Sequence, residues 1–229
     1  DIQAPVTRIG KYAFNECEAI TSILLPTTVK TIDTYAFAYC SVIKEIQLPE
    51  SVEALEGERT FFQCNALERV NIPAGVTSLP RYCFSYCNAL QEMILGAEIT
   101  ALGDNLFQNC TSLRKVVLPD GLKKLPNYIF SSCGALAEAK IPESVTEIGQ
   151  SCFSGCAQWD FNMPAGVTSI GSEAFKGCAK ITEFTFPAQM TEIPSYVLQD
   201  CAALTKVTLG DNVTSFGYGV FRNCTSLSE

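Results

Sequence analysis

A unit of 22 to 24 residues is repeated along the whole chain and limits what it can fold into. Such a fixed period is typical of a solenoid, in which each unit packs on its neighbours. The repeats start near Val6, Val29, Val52, Val76, Ile99, Leu122, Val145, Val167, Met190 and Val213. We therefore predict one solenoid domain over residues 1–229. Copy three has one extra residue and copy seven lacks one, and we expect local bulges there. Solenoids need capping units, and none is recognisable at either end, so we expect a fragment of a longer chain.

Each copy carries an aromatic or aliphatic plug followed three residues later by a cysteine. The plugs are Phe14, Phe37, Phe61, Phe84, Phe107, Phe130, Phe153, Phe175, Leu198 and Phe221. The cysteines are Cys17, Cys40, Cys64, Cys87, Cys110, Cys133, Cys156, Cys178, Cys201 and Cys224. Each buried phenylalanine contributes about 1.5–3 kcal/mol, so the column of plugs is expected to dominate the cohesion between copies.

Two short apolar strands frame the plug in every copy. The second, as in Leu113–Pro119, alternates inward and outward side chains and ends at a proline or glycine. Stacked copies joined by long crossovers predict parallel sheets. The turn after the first strand holds glycine or proline, as at Gly149 and Pro126, so this position cannot require positive φ. For the segment from Ala174 to Ile181 and its equivalents, the apolar spacing of three predicts a 3₁₀ or single helical turn.

The chain has twelve cysteines, ten of which occupy one repeat position. Equivalent residues of stacked strands lie about 4.8 Å apart, whereas a disulfide needs tilted Cβ atoms about 3.5–4.5 Å apart. We expect reduced, buried thiols that act as small hydrophobic groups and weak donors. Cys83 and Cys152 stand where other copies have alanine, and we expect small core residues there too. Some disulfide pairing or a metal site is the alternative that the residues leave open.

The unit L-x-x-V-x-L-P, followed by V-x-x-I-G-x-x-A-F-x-x-C, resembles the BspA-type leucine-rich repeat of bacterial surface proteins. The resemblance covers residues 6–227 in ten copies. It implies an α/β leucine-rich-repeat solenoid of about ten right-handed coils, made mostly of short parallel strands with 3₁₀ or single helical turns. It also implies a secreted or surface-anchored bacterial protein, and some members of the family act as adhesins for host matrix proteins or other cells.

The outward positions of the second strand form columns of stacked side chains. The members of one column are Ser22, Glu45, Arg69, Glu92, Lys115, Glu138, Asp160, Glu183 and Lys206. The sign of the charge alternates along this column from Glu45 to Glu138. The next two members, Asp160 and Glu183, are both acidic, so the column continues from Glu138 as an acidic run. Alternating charges on neighbouring strands each contribute about 0.2–1 kcal/mol, which favours register and solubility, with a polar binding stripe as the alternative. In the next column Ile94 and Val117 are apolar neighbours on an otherwise polar face. With Glu92 and Lys115 they form a candidate partner-binding site.

Tyrosines recur two residues before the plug. They are Tyr12, Tyr35, Tyr82, Tyr128 and Tyr196. Tyrosine is favoured at contacts because it is amphipathic. We include Tyr82 and Tyr128 among the candidate binding residues, as part of an aromatic rim for a protein or glycan. Packing along the edge of the plug column is the other interpretation.

The sequence contains no histidine and no phosphate-binding glycine loop, and its net charge is −8. Histidine-based acid–base and triad chemistry is therefore excluded, and nucleic acid is disfavoured as a partner. No apolar run is long enough to span a membrane. We predict no catalytic, cofactor or metal site. The expected function is non-enzymatic recognition at a bacterial cell surface, of a host matrix protein or another cell-surface protein, with a glycan possible. A rigid spacer that displays another domain is the alternative.

Overall fold

A computed structural model describes residues 5–159 and 162–229. Its strands are β1 (Arg8–Ile9), β2 (Thr31–Ile32), β3 (Glu45–Ile46), β4 (Ala54–Leu55), β5 (Arg69–Val70), β6 (Ser78–Leu79), β7 (Glu92–Ile94), β8 (Ala101–Leu102), β9 (Lys115–Val117), β10 (Lys124–Leu125), β11 (Glu147–Ile148), β12 (Ser169–Ile170), β13 (Glu183–Thr185), β14 (Glu192–Ile193), β15 (Lys206–Thr208) and β16 (Ser215–Phe216). Every described pairing is parallel and joins adjacent coils. The chain is thus a solenoid, with nine full coils followed by the first strand and turn segment of a tenth. We number the coils by repeat.

The first strands of the coils are β1, β2, β4, β6, β8, β10, β11, β12, β14 and β16, and their ladder is divided into four sheets. The residue after the strand donates its N–H to the preceding coil, as Gly103 does to the Leu79 carbonyl at 2.8 Å. At the three boundaries between sheets this residue is Pro80, Pro126 or Pro194, which has no N–H to donate. Proline therefore interrupts the first-strand ladder before coils four, six and nine.

None of the glycines at the turn position after the first strand has a positive φ. This agrees with the prediction made from the prolines that occupy the same position in other coils. Glycine is used there because the coils approach closely. A Cβ on Gly149 would lie 2.7 Å from the backbone nitrogen of Asn127 and 2.7 Å from the carbonyl carbon of Pro126. A side chain at this point would push coil seven away from coil six.

The turn segment between the two strands is not helical, and the predicted 3₁₀ or single helical turn is wrong. No residue of the described chain is in a helix. In every coil two positions of this segment, four residues apart, adopt positive φ, as Tyr35 (55°) and Tyr39 (62°) do in coil two, and a right-handed helix cannot pass through them. The segment is a chain of tight turns instead. The Ala36 amide bonds the Asp33 carbonyl in its own coil, whereas the Phe37 amide bonds Thr60 of the next. Half of the donors thus bind the neighbouring coil, which a helix would not allow.

The phenylalanine plugs form a continuous stacked column through the core. Successive ring centroids are 5.1 Å apart for Phe14 and Phe37 and 5.8 Å apart for Phe84 and Phe107, with interplanar angles of 7° and 9°. In coil seven the ring of Trp159 joins this column, 3.9 Å from Phe153. The predicted column is confirmed. It forms the core, which is enclosed by the ladders of the first strands, the turn segments and the second strands.

The cysteines next to the plugs are free thiols. From coil two onward each thiol donates to the carbonyl of the plug in the preceding coil. The bonds run from Cys40 to Phe14, Cys64 to Phe37, Cys87 to Phe61, Cys110 to Phe84, Cys133 to Phe107, Cys156 to Phe130, Cys178 to Phe153, Cys201 to Phe175 and Cys224 to Leu198, at 3.0–3.2 Å. The predicted role as buried hydrophobic groups with a weak donor is confirmed for Cys40 through Cys201. Cys17 and Cys224 are only partly buried.

Candidate functional site

The exposed face of β7 and β9 carries the apolar pair predicted from the sequence. Ile94 lies directly opposite Val117 in the register, and the two side chains are 63% and 41% exposed. The residues before them, Met93 and Val116, point inward and are buried. The strand alternation therefore brings Ile94 and Val117 together on the surface, where they form an apolar contact area between polar neighbours.

Charged side chains flank this pair in a fixed order. Glu92 lies opposite Lys115 in the register, and the Lys115 ammonium is 3.7 Å from the Glu92 carboxylate and 3.6 Å from that of Glu138. These groups are largely exposed, so each ion pair contributes at most about 1 kcal/mol. Their main effect is to hold the register and to give the face a defined pattern of charge.

The rest of the predicted charge column is only partly continuous. Arg69 lies opposite Glu45, with 3.9 Å between the charged groups, and Glu183 lies opposite Lys206. However, β5 and β7 do not pair, so the alternating column is divided between coils three and four. Asp160, the centre of the predicted acidic run, lies outside the described residues.

Tyr82 and Tyr128 do not join this face. Both belong to turn segments, which connect the first and second strands, and both have positive φ. The guanidinium of Arg59 lies 4.3 Å from the ring centre of Tyr82 and 5.5 Å from that of Tyr35. Tyr35 also stacks on Tyr12, with 5.1 Å between ring centres. The tyrosine column is therefore a second surface, in which rings and a cation cover one another.

An aromatic cluster around Phe62 was missed by the sequence analysis. Phe62 makes edge-on contacts with Tyr39 and Tyr86, at 5.6 and 5.7 Å between ring centres. The guanidinium of Arg59 lies near the ring of Phe62. In coil three Arg59 occupies the position that holds tyrosine in several other coils. Both residues follow the extra residue of copy three. An aromatic residue after the plug, where other copies have small or polar ones, was the available signal.

A cleft of about 1080 Å³ opens beside the apolar pair, between coils five and six. Val117, Leu118, Ala139, Lys140 and Pro142 are among the residues that line it. The sequence signal for it was the small side chain of Ala139, at an inward position that other coils fill with Ile46, Val70, Met93 or Val116. The candidate functional site is therefore the face of β7 and β9 together with this cleft.

The described groups with shifted pKa values are the Arg8–Asp33 pair and buried thiols. Burial raises the pKa of the Cys133 thiol to about 12 and that of Cys40 to about 11, so neither is a nucleophile near neutral pH. The hydrogen bond from Arg8, 2.7 Å away, holds the pKa of the Asp33 carboxyl below its usual value. Within residues 5–159 and 162–229 there is no group of metal-binding side chains and no helix that could span a bilayer.

The parallel ladders, the plug column and the 23-residue period define a leucine-rich repeat solenoid. The sequence profile of the BspA type leucine rich repeat region matches residues 7–136 and 100–228. These matches cover nearly the whole chain, which therefore belongs to the BspA-type leucine-rich repeat family. Such solenoids are typically protein-interaction modules, and no catalytic family was found.

Solved structures support the same fold. A leucine-rich repeat protein of T. pallidum aligns with a TM-score of 0.63 and 28% identity over 81% of this chain and 78% of that one. A leucine-rich repeat protein of Bacteroides ovatus aligns with a TM-score of 0.68 and 26% identity over 97% and 69%. A leucine-rich cell surface protein of Faecalibacterium prausnitzii aligns with a TM-score of 0.53 and 24% identity over 89% and 69%. A search of curated proteins found no significant match.

Proposed function

We propose that this chain is a non-enzymatic recognition module that binds a protein partner at a bacterial cell surface, as an adhesin does. The observation that supports the proposal is the exposed pair of Ile94 and Val117, held in register beside Glu92 and Lys115. An apolar centre with a charged rim is the arrangement found at protein interfaces. The extracellular location is consistent with the F. prausnitzii neighbour, which is a cell surface protein.

A protein partner fits the tyrosine column better than a glycan does. A sugar ring binds by stacking on an open aromatic face. Tyr12 covers one side of Tyr35 and Arg59 lies against the other, while Arg59 and Arg81 both lie against Tyr82. What these residues present outward is ring edges and hydroxyl groups, which suit hydrogen bonding to a protein surface.

The proposal is tested by reversing the polarity of the apolar pair. The double variant Ile94→Glu, Val117→Lys places opposite charges across β7 and β9, so that the strands remain compatible. Immobilised extracellular matrix proteins and intact cells of other bacteria are the probes. We expect saturable binding by the unaltered chain and at least about a tenfold loss for the double variant.

The control is the double variant Thr185→Glu, Thr208→Lys, which makes the same change at the opposed positions of β13 and β15. It should bind like the unaltered chain, and both variants should keep the thermal unfolding midpoint. Equal loss in both variants, or no loss in either, contradicts a site at Ile94 and Val117. Absence of binding to every probe supports a rigid spacer instead.

A further inference from the structure

The second-strand ladder opens between coils five and six. The earlier rungs of this junction are intact, because the Val116 amide donates to the Glu138 carbonyl at 2.8 Å and the Glu138 amide donates to the Arg114 carbonyl at 2.9 Å. On the next rung the Lys140 amide would bind Val116, and the Leu118 amide would bind Lys140. Neither bond forms among the described residues. Between coils four and five the equivalent bond is present, from Leu95 to Val117 at 3.0 Å.

The local sequence explains why the ladder opens here. Pro126 interrupts the first-strand ladder at the same junction. On its other side, coil six is tied to coil seven by side chains. The Trp159 indole donates to the Ala139 carbonyl at 2.9 Å, and the Asn162 side-chain amide bridges the backbone of Ile141. Coils five and six therefore stay joined by the earlier rungs of the second-strand ladder and by the turn-segment ladder, through bonds such as Phe107 to Ile129.

The cleft therefore contains unpaired backbone groups between apolar walls. The Leu118 amide, the Val116 carbonyl and both backbone groups of Lys140 have no hydrogen-bond partner in the described chain. Val117, Ala139 and Pro142 supply apolar surface around them. These donors and acceptors are free to pair with a ligand backbone, and an extended peptide offers both kinds of group in alternation.

Charge also distinguishes the two ends of the cleft. Lys140 and Lys180 form no ion pair with described residues, and Lys180 precedes the second strand of coil eight. Asp120 and Glu143 follow the prolines that end the second strands, and they too form no described ion pair. Lys180 lies before the second strands and the two carboxylates lie after them, whereas Lys140 lies between. An extended segment parallel to β9 would thus pass its acidic end towards Lys180 and its basic end over the carboxylates.

We infer that this cleft binds an extended peptide segment of a partner protein, parallel to β9, with an acidic residue before its apolar centre and a basic residue after it. The inference rests on the proposed recognition function and names the part of the partner that is read. The peptide backbone pairs with Leu118 and Lys140, and a central aliphatic side chain lies against Ala139.

The test uses two fluorescein-labelled peptides of identical composition, acetyl-Glu-Thr-Val-Thr-Lys-amide and its charge-reversed form acetyl-Lys-Thr-Val-Thr-Glu-amide. Fluorescence anisotropy should give at least about tenfold tighter binding for the first peptide. Lys180→Gln, which introduces the residue that Gln158 provides at the matching position of coil seven, should remove most of this preference. Lys206→Thr, outside the cleft, should leave it intact.

Hydrogen exchange followed by NMR supplies a second readout. In the free chain the Leu118 and Lys140 amides should exchange rapidly and the Val116 amide slowly. The first peptide should slow the Leu118 and Lys140 amides at least about tenfold and leave Val116 unchanged. Equal binding of the two peptides, preference for the reversed one, or unchanged exchange at Leu118 and Lys140 would overturn the inference. If matrix proteins still bind through Ile94 and Val117 in that case, the proposed function survives and only the cleft proposal fails.

Discussion

The thiol of Cys110 donates a hydrogen bond to the main-chain carbonyl of Phe84, 3.0 Å away in the preceding coil. The same bond recurs along the stack. The Cys87 amide also donates to this carbonyl, at 3.2 Å, so the thiol is the second donor to a buried acceptor. Replacing Cys110 by alanine should lower the free energy of unfolding by about 1–2 kcal/mol, because it removes one of the two donors to that carbonyl and opens a small cavity. Urea unfolding, followed by the fluorescence of Trp159, measures the loss.

Cys152→Ala is the matched control for this prediction. Cys152 is equally buried, but it stands at the position where Ala36 and Ala174 occur, and its thiol donates to no carbonyl among the described residues. Cys152→Ala should lower the free energy of unfolding clearly less than Cys110→Ala does. If the two substitutions cost the same, the stabilisation comes from apolar volume alone and the hydrogen bond contributes nothing.

The buried thiols should make the protein less stable at alkaline pH. Burial raises the pKa of Cys40 from 9.0 to about 11 and that of Cys133 and Cys201 to about 12. The unfolded chain loses these protons near pH 9, whereas the folded chain keeps them. The stability due to the neutral thiols is therefore complete below pH 9 and is lost as the pH rises towards 11 to 12.

Urea unfolding between pH 8 and 10 tests this directly. The unfolding free energy should fall by up to about 1.4 kcal/mol per pH unit for each thiol that titrates only in the unfolded chain. Cys133→Ser removes one such thiol and should reduce the slope. A free energy that stays constant from pH 8 to 10 would contradict the prediction.

Close approach of the coils should make Gly149 intolerant of any side chain. An added Cβ would lie 2.7 Å from the Asn127 nitrogen, which cannot move without separating coils six and seven. Gly149→Ala should therefore lower the unfolding free energy by about 1–3 kcal/mol. At Gly121, where nothing lies within 4 Å of a Cβ, alanine should be neutral or stabilising by less than about 1 kcal/mol. Equal effects on the thermal midpoint would refute the steric argument.

Relief of positive φ should stabilise the turn segment. Ser132 has a φ of 63° and is exposed, and the same position is occupied by Gly155 and Gly177 in the next two coils. Ser132→Gly should raise the unfolding free energy by about 0.5–1 kcal/mol, because glycine adopts this conformation without steric cost. Ser112→Gly, at a residue without positive φ, should be destabilising. Calorimetry distinguishes the two, and a lower midpoint for Ser132→Gly would count against strain at this position.

The periodic parts of the structure were predictable, while the departures from periodicity were not. The plug column, the thiol column and the exposed pair of Ile94 and Val117 follow from spacing, because stacked identical coils must place equivalent residues above one another. The turn segment was predicted wrongly. An apolar spacing of three indicates a helical turn, but the donors of this segment bind the adjacent coil, and that contact is not visible within one repeat.

The sequence by itself determined that the chain stacks into a solenoid and which side chains point inward, since both depend only on period and alternation. Tertiary structure decided where the ladders open. Pro126 removes one rung, Trp159 and Asn162 hold coil six to coil seven, and the cleft beside Val117 follows from the two effects together. The physical reason is that coil seven holds Ala139 and Ile141 while Lys140 and Leu118 stay unpaired towards coil five, and only the assembled stack shows on which side each backbone group bonds.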